Sequence, residues 1–142
     1  LAHRQRVDGF RDEAASRFPD LEQLPTENCG DDQKLAHDIV CRALREHPDL
    51  GGVYISVNGL IGACEALTEM NAAGRVRLIC HDLIPANIEN VRRGVIDFLI
   101  DQDAHMQGNR PTELLLDYLL CGDKPASDRI LAHIDIRNRY NV

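Results

Sequence analysis

The chain is 142 residues long, 44% hydrophobic and 27% charged, which suits one domain with a real core and excludes a disordered or low-complexity chain. Its formal net charge is −7 and it has no basic cluster, so by itself it is a poor nucleic-acid binder. No apolar run approaches the ~20 residues of a membrane span, and residues 1–9 are too polar for a secretory signal.

The chain starts at Leu1, inside a helical pattern, and reads as a fragment or a processed product, so a signal could have preceded it. Val7, Phe10, Ala14 and Phe18 recur along one helical face that ends at Pro19. Residues 21–29 hold a weak strand, and Pro25 argues for an edge position. Asp31 or Asp32 caps a helix whose apolar face is Leu35, Ile39, Val40, Ala43 and Leu44; it stops before Pro48.

A rhythm follows. Residues 52–57, 76–80 and 95–100 are short apolar runs that read as buried strands. Between them lie a helical stripe (Leu60, Ala63, Cys64, Leu67, Met70) and a short helix that Pro85 starts and Gly94 ends. A long helical stretch from about His105 to Leu120 ends at Gly122, and residues 130–136 read as the last strand. Strands alternating with helices predict an α/β fold with a mostly parallel sheet of about five strands flanked by helices.

Five cysteines are spread so that no two are closer than 12 positions, which excludes a CxxC redox or zinc pair. Cys41, Cys64 and Cys80 fall in apolar-periodic segments and read as packing residues in a reducing, cytoplasmic compartment.

Chemistry collects where each central strand ends: Val57-Asn58-Gly59, Cys80-His81-Asp82, and Ile100-Asp101-Gln102-Asp103. In open parallel sheets ligands bind at this edge. Asn and Asp are also ordinary caps and turn residues, whereas His81 and Gln102 are not favoured caps, so the three ends together favour a ligand site. Gly59 and Gly62 lack the first glycine of a dinucleotide turn, with Asn58 in its place, and they read as packing glycines. Asp101, Asp103, His105, His81 and Asp82 match no metal-ligand spacing, and no GxSxG elbow supports a nucleophilic serine. Cys80 and His81 are adjacent on a strand and face opposite ways, so they do not pair as nucleophile and base. No enzyme activity, metal or cofactor is expected. His3, His37, His47, His105 and His133 read as surface or packing residues.

The segments Gly94–Gly108, Ile79–Asp82, Arg4–Phe10 and Ile134–Asn141 resemble the type I periplasmic-binding-protein fold. That fold is shared by sugar-binding periplasmic proteins and by the effector domains of LacI-type transcriptional regulators. The resemblance covers essentially all of residues 1–142 as the C-terminal portion of such a domain, with 105–122 an excursion toward an N-terminal subdomain the chain lacks. It implies that Arg6, Asp82 and Gln102 contact a sugar-like ligand, with Asn58 matching a fourth contact by chemistry and Ser56 by spacing. The function it implies first is the effector-binding region of a LacI-type regulator, which reaches DNA only through an absent helix-turn-helix. Leu114, Leu115, Leu116, Tyr118, Leu119 and Leu120 place apolar side chains around most of the long helix, so the chain is expected to cover it against a second copy, as a homodimer. The alternative is a sugar-binding component of a transport system. No membrane contact is expected. Two features depart from the family pattern. Pro111 falls inside the long helix, and with 4% aromatic content and no Trp the stacking ring of such sites must come from the missing half or be absent.

Overall fold

The computed structural model describes residues 2–142. It has five helices and four strands: α1 (Ala2–Arg17), α2 (Gln33–Glu46), β1 (Gly52–Tyr54), α3 (Leu60–Glu69), β2 (Arg77–His81), α4 (Pro85–Arg92), β3 (Phe98–Asp101), α5 (Ala104–Cys121) and β4 (Asp135–Arg137). The sheet order is β1-β2-β3-β4; the first three strands are parallel and β4 runs antiparallel to β3. Register places Tyr54 beside Ile79, and His81 beside Ile100.

Side chains alternate across a strand, so each strand has two faces. Leu78, Cys80 and Leu99 point into the core, where they are fully buried with Leu67, Val76, Val91 and Ile96. Tyr54, His81 and Phe98 point to the opposite face. The α1 helix meets that face through a stack of Phe10 on Tyr54 with ring centroids 4.8 Å apart. The apolar stripe expected on α1 is only partly covered: Ala14 is buried and Val7 half-buried, while Phe10 and Phe18 are exposed.

Local chemistry sets the helix ends. Asp32, not Asp31, caps α2 by accepting from the Leu35 N–H. Pro85 opens α4 at N1, where its missing N–H is harmless. The α5 helix runs through Pro111 unbroken. Cys29, Cys41, Cys64 and Cys80 are buried free thiols, and burial pushes Cys64 and Cys80 up to about 12, so they are inert packing groups. Among the described residues no helix is long and apolar enough to cross a membrane.

The sheet has four strands, not about five. Residues 21–29 form no ladder; Pro25 lacks an N–H, and the segment is held instead by Gln23 donating to the Arg11 carbonyl and by the Cys29 thiol against the Asn58 carbonyl. The last strand is also shorter than the expected 130–136. No neighbouring strand meets residues 130–134, and Leu131 is 85% exposed.

The packing of α2 on α3 depends on one glycine. A Cβ at Gly62 would lie 1.9 Å from the Gln33 carbonyl oxygen, while the Gly62 N–H bonds to the Gln33 side chain at 3.0 Å. Helix propensity alone favours Ala over Gly by up to ~1 kcal/mol. Here overpacking reverses the sign. Gly62→Ala is expected to destabilise the fold by about 1–3 kcal/mol, because the clash is with backbone and the helices must separate. Urea denaturation decides it, and a Gly62→Ala chain as stable as the parent shows that α2 does not lie so close.

Candidate functional site

Four chain segments meet at the carboxyl edge of the parallel strands. Arg6, on the second turn of α1, donates from Nη1 to the Ser56 carbonyl at 2.9 Å and from Nη2 to Gln102 Oε1 at 3.1 Å. Gln102 Nε2 in turn donates to Asp82 Oδ1 at 2.9 Å. The carboxamide orientation is forced: the guanidinium offers only donors and the carboxylate only acceptors. His3 also places Nδ1 2.9 Å from the Ser56 carbonyl.

Backbone geometry aims these groups. Asp82 follows β2 with φ +73°, a left-handed conformation that a non-glycine residue adopts at a cost and that clusters at functional sites. Its turn is held from beneath by Asn87, a buried residue of α4 whose Nδ2 donates to the Asp82 carbonyl at 2.7 Å and the His81 carbonyl at 3.3 Å. Gln102 sits between Asp101, whose Oδ1 accepts the Asp103 N–H, and Asp103, which caps α5 by accepting from Met106 N. Asp82 is exposed, and Arg6 and Gln102 are half-buried, so the set forms an open shelf.

Of the residues expected here, Arg6, Asp82 and Gln102 share one hydrogen-bonded chain. Ser56 joins it through its backbone carbonyl, and its side chain is buried. Asn58 stays outside: it is exposed, and its carbonyl accepts the Cys29 thiol. The structure adds His3, Tyr54, His81 and Asn87. His3, read as a surface or packing residue, borders the shelf. Asn87 gave no signal, since an Asn in the first turn of a helix is commonplace. Two recesses elsewhere, about 300 Å³ between α3 and α4 and about 540 Å³ beside α1, gather none of the residues of this shelf.

Tyr54 and His81 form a polar–aromatic pair behind the shelf, Tyr54 Oη lying 2.8 Å from His81 Nε2. His81 Nδ1 is buried without a partner. Burial, with the Arg6 cation nearby, pulls His81 down to about 4.

A parallel α/β fold with its polar side chains gathered at the strands' carboxyl edge belongs to the class of ligand-binding α/β domains. Within that class, residues 1–124 match the family model of the periplasmic binding protein domain, and the chain belongs to that family. It is 32% identical over 80 residues to the xylose/arabinose-binding protein XylF of Sulfolobus acidocaldarius, covering 52% of this chain and 20% of that protein. It superposes with a TM-score of 0.87, at 22% identity, on an ABC transporter solute-binding protein of Agrobacterium vitis bound to α-D-tagatopyranose, covering 98% of this chain and 46% of that one. A sugar-binding protein of a sugar ABC transporter from Bacillus halodurans gives 0.85 at 22% identity, over 99% of this chain and 52% of that one. The chain thus spans about half of these structures and a fifth of the XylF relative.

The depressed His81 gives the stability a direction with pH. The folded chain holds the ring neutral, while the unfolded chain takes up a proton near the ordinary value of about 6.5. The contribution is therefore complete above about 6.5 and is lost as the pH falls toward about 4. Urea midpoints compared between pH 7 and 4.5 should fall further for the parent than for His81→Phe. Equal falls in the two chains place no titration at His81.

Proposed function

We propose that the chain is one lobe of a sugar-binding protein serving an ABC-type transport system. The observation that carries this reading is the Arg6–Gln102–Asp82 chain at the sheet edge. It sets out fixed donors, a bifunctional amide and a carboxylate, the groups that satisfy hydroxyls acting as both donors and acceptors. Arg6 and Asp82 cancel in charge, which suits an uncharged polyol. Of the relatives named above, two are binding proteins of ABC transporters and the third is named for binding xylose and arabinose, and this favours the transport component over the LacI-type regulator. The free cysteines, expected to favour the regulator, do not separate the two readings, because burial protects four of the five in any compartment. Binding a sugar requires no catalytic residue or cofactor from this site.

The α5 helix fits the excursion toward a second lobe. None of its side chains is buried, and Leu115, Leu116, Tyr118, Leu119 and Leu120 are all exposed. In a two-lobed protein the second lobe covers this face.

Two outcomes test the proposal. Asp82→Asn keeps a residue that tolerates the left-handed backbone and removes the charge. In the full-length protein it should cost ~1.5–3 kcal/mol of affinity for the best binder among D-xylose, L-arabinose, D-tagatose and D-allose, the scale of a hydrogen bond to a charged group. Calorimetry showing unchanged affinity removes Asp82 from the site. The 142-residue chain alone should hide α5 against a second copy, since each uncovered Leu forgoes ~1.5–3 kcal/mol of burial. Light scattering at tens of micromolar is expected to show a dimer, and a stable monomer overturns that assembly.

A further inference from the structure

The chain leaves the sheet at Gln102 to enter α5 and returns to it at β4. The two crossings lie side by side, and their register sets Asp101 directly opposite Asp135. Like charges directly opposite on neighbouring strands repel. Arg137 lies two residues beyond Asp135, hence on the same face, and its Nη2 is 2.8 Å from Asp135 Oδ2 and 3.6 Å from Asp101 Oδ2. One guanidinium therefore bridges the outgoing and the returning strand. The bridge is partly screened from solvent: the Asp101 side chain is 15% exposed and that of Arg137 31%. Arg137 Nε is buried without a partner, although buried polar groups are usually paired. His133, itself exposed, places Nδ1 3.3 Å from Asp135 Oδ1 and is a further titratable neighbour of the bridge.

Asp101 connects this bridge to the shelf. Its Oδ2 faces Arg137, and its Oδ1 accepts the Asp103 N–H, which closes the short turn presenting Gln102. Arg137 thus acts on Asp101, Asp101 on the 101–103 turn, and the turn on the amide that joins Arg6 to Asp82. We propose that Arg137 is a positioning residue for the binding site: by clasping the two crossings it fixes Gln102, and ligand affinity depends on it although it stands outside the Arg6–Gln102–Asp82 chain. The dependence of affinity on Arg137 rests on the sugar-binding reading; the dependence of the Gln102 amide on Arg137 does not.

The test uses Arg137→Gln, Arg137→Lys and Asp101→Asn in the full-length protein, with two readouts. One is calorimetry with the best binder among the four sugars above; the other is the NMR signal of the Gln102 side-chain amide without ligand. Arg137→Gln should weaken binding about tenfold and shift the Gln102 amide, the scale of a perturbation transmitted through packed contacts. Arg137→Lys, which keeps a cation between the carboxylates, should recover most of both. Asp101→Asn should shift the amide in the same direction as Arg137→Gln, and it carries the test if Arg137→Gln fails to fold. A lowered melting temperature with an unmoved Gln102 amide and parental affinity overturns the proposal, leaving Arg137 a purely structural residue. If the parent binds none of the sugars, the sugar-binding reading fails, and the Gln102 amide still decides whether Arg137 positions it.

Discussion

A carboxamide has one accepting end and one donating end, and Gln102 gives each to a charged partner. Its oxygen takes the Arg6 guanidinium and its nitrogen gives to the Asp82 carboxylate. Those residues come from α1, the end of β2 and the end of β3, segments far apart in the chain. Reversing the amide sets donor against donor and acceptor against acceptor, so only one orientation survives. This contact turns three strand and helix ends into one surface. Hydrogen bonds to charged groups are the stronger kind, at ~1.5–3 kcal/mol each, so the polar groups of the shelf are partnered and held in place by one another.

The three members of the chain are not held equally. Asp82 is fixed by a strained left-handed turn and by the buried Asn87 beneath it. Gln102 is fixed by its neighbours, Asp101 tied into the sheet and Asp103 capping α5. Arg6 rides on α1, which meets the sheet through the Phe10–Tyr54 stack and polar contacts to the Ser56 carbonyl, with Ala14 its one buried residue. Little buried apolar area means low local stability. The cation is thus on a more weakly anchored support than the carboxylate and amide, which stand at the ends of sheet strands.

What the sequence made legible follows from which signals are local. Apolar runs and the polar residues ending them are local, so the three parallel strands and the placing of Asp82 and Gln102 at one edge could be read directly. Pairing is not local. Residues 21–29 have strand-like composition and no ladder, and 130–134 have the β-branched residues of a strand but no neighbour to bond to. The antiparallel sense of β4 depends on where the chain re-enters the sheet after α5, which no periodicity encodes. At the site, chemistry pointed to Asn58 and spacing to Ser56, and only the fold separates them. The low aromatic content hid a ring pair, because the stack of Phe10 on Tyr54 joins residues 44 positions apart.

The stretch Asp101–Asp103 belongs to three systems at once. Asp101 is part of the β3–β4 clasp, Gln102 is the centre of the binding shelf, and Asp103 starts α5. Three consecutive residues cannot move independently across planar peptide bonds, because only two soft dihedrals separate each from the next. The backbone turn that presents the Gln102 amide is therefore also the one that sets the direction in which α5 leaves the sheet. That helix carries the uncovered apolar face, so whatever covers it docks on an element anchored at the polar shelf. Under the proposed binding function, a ligand and a covering partner that each favour one arrangement of the Asp101–Asp103 backbone would change each other's affinity by the same factor, because linkage is reciprocal.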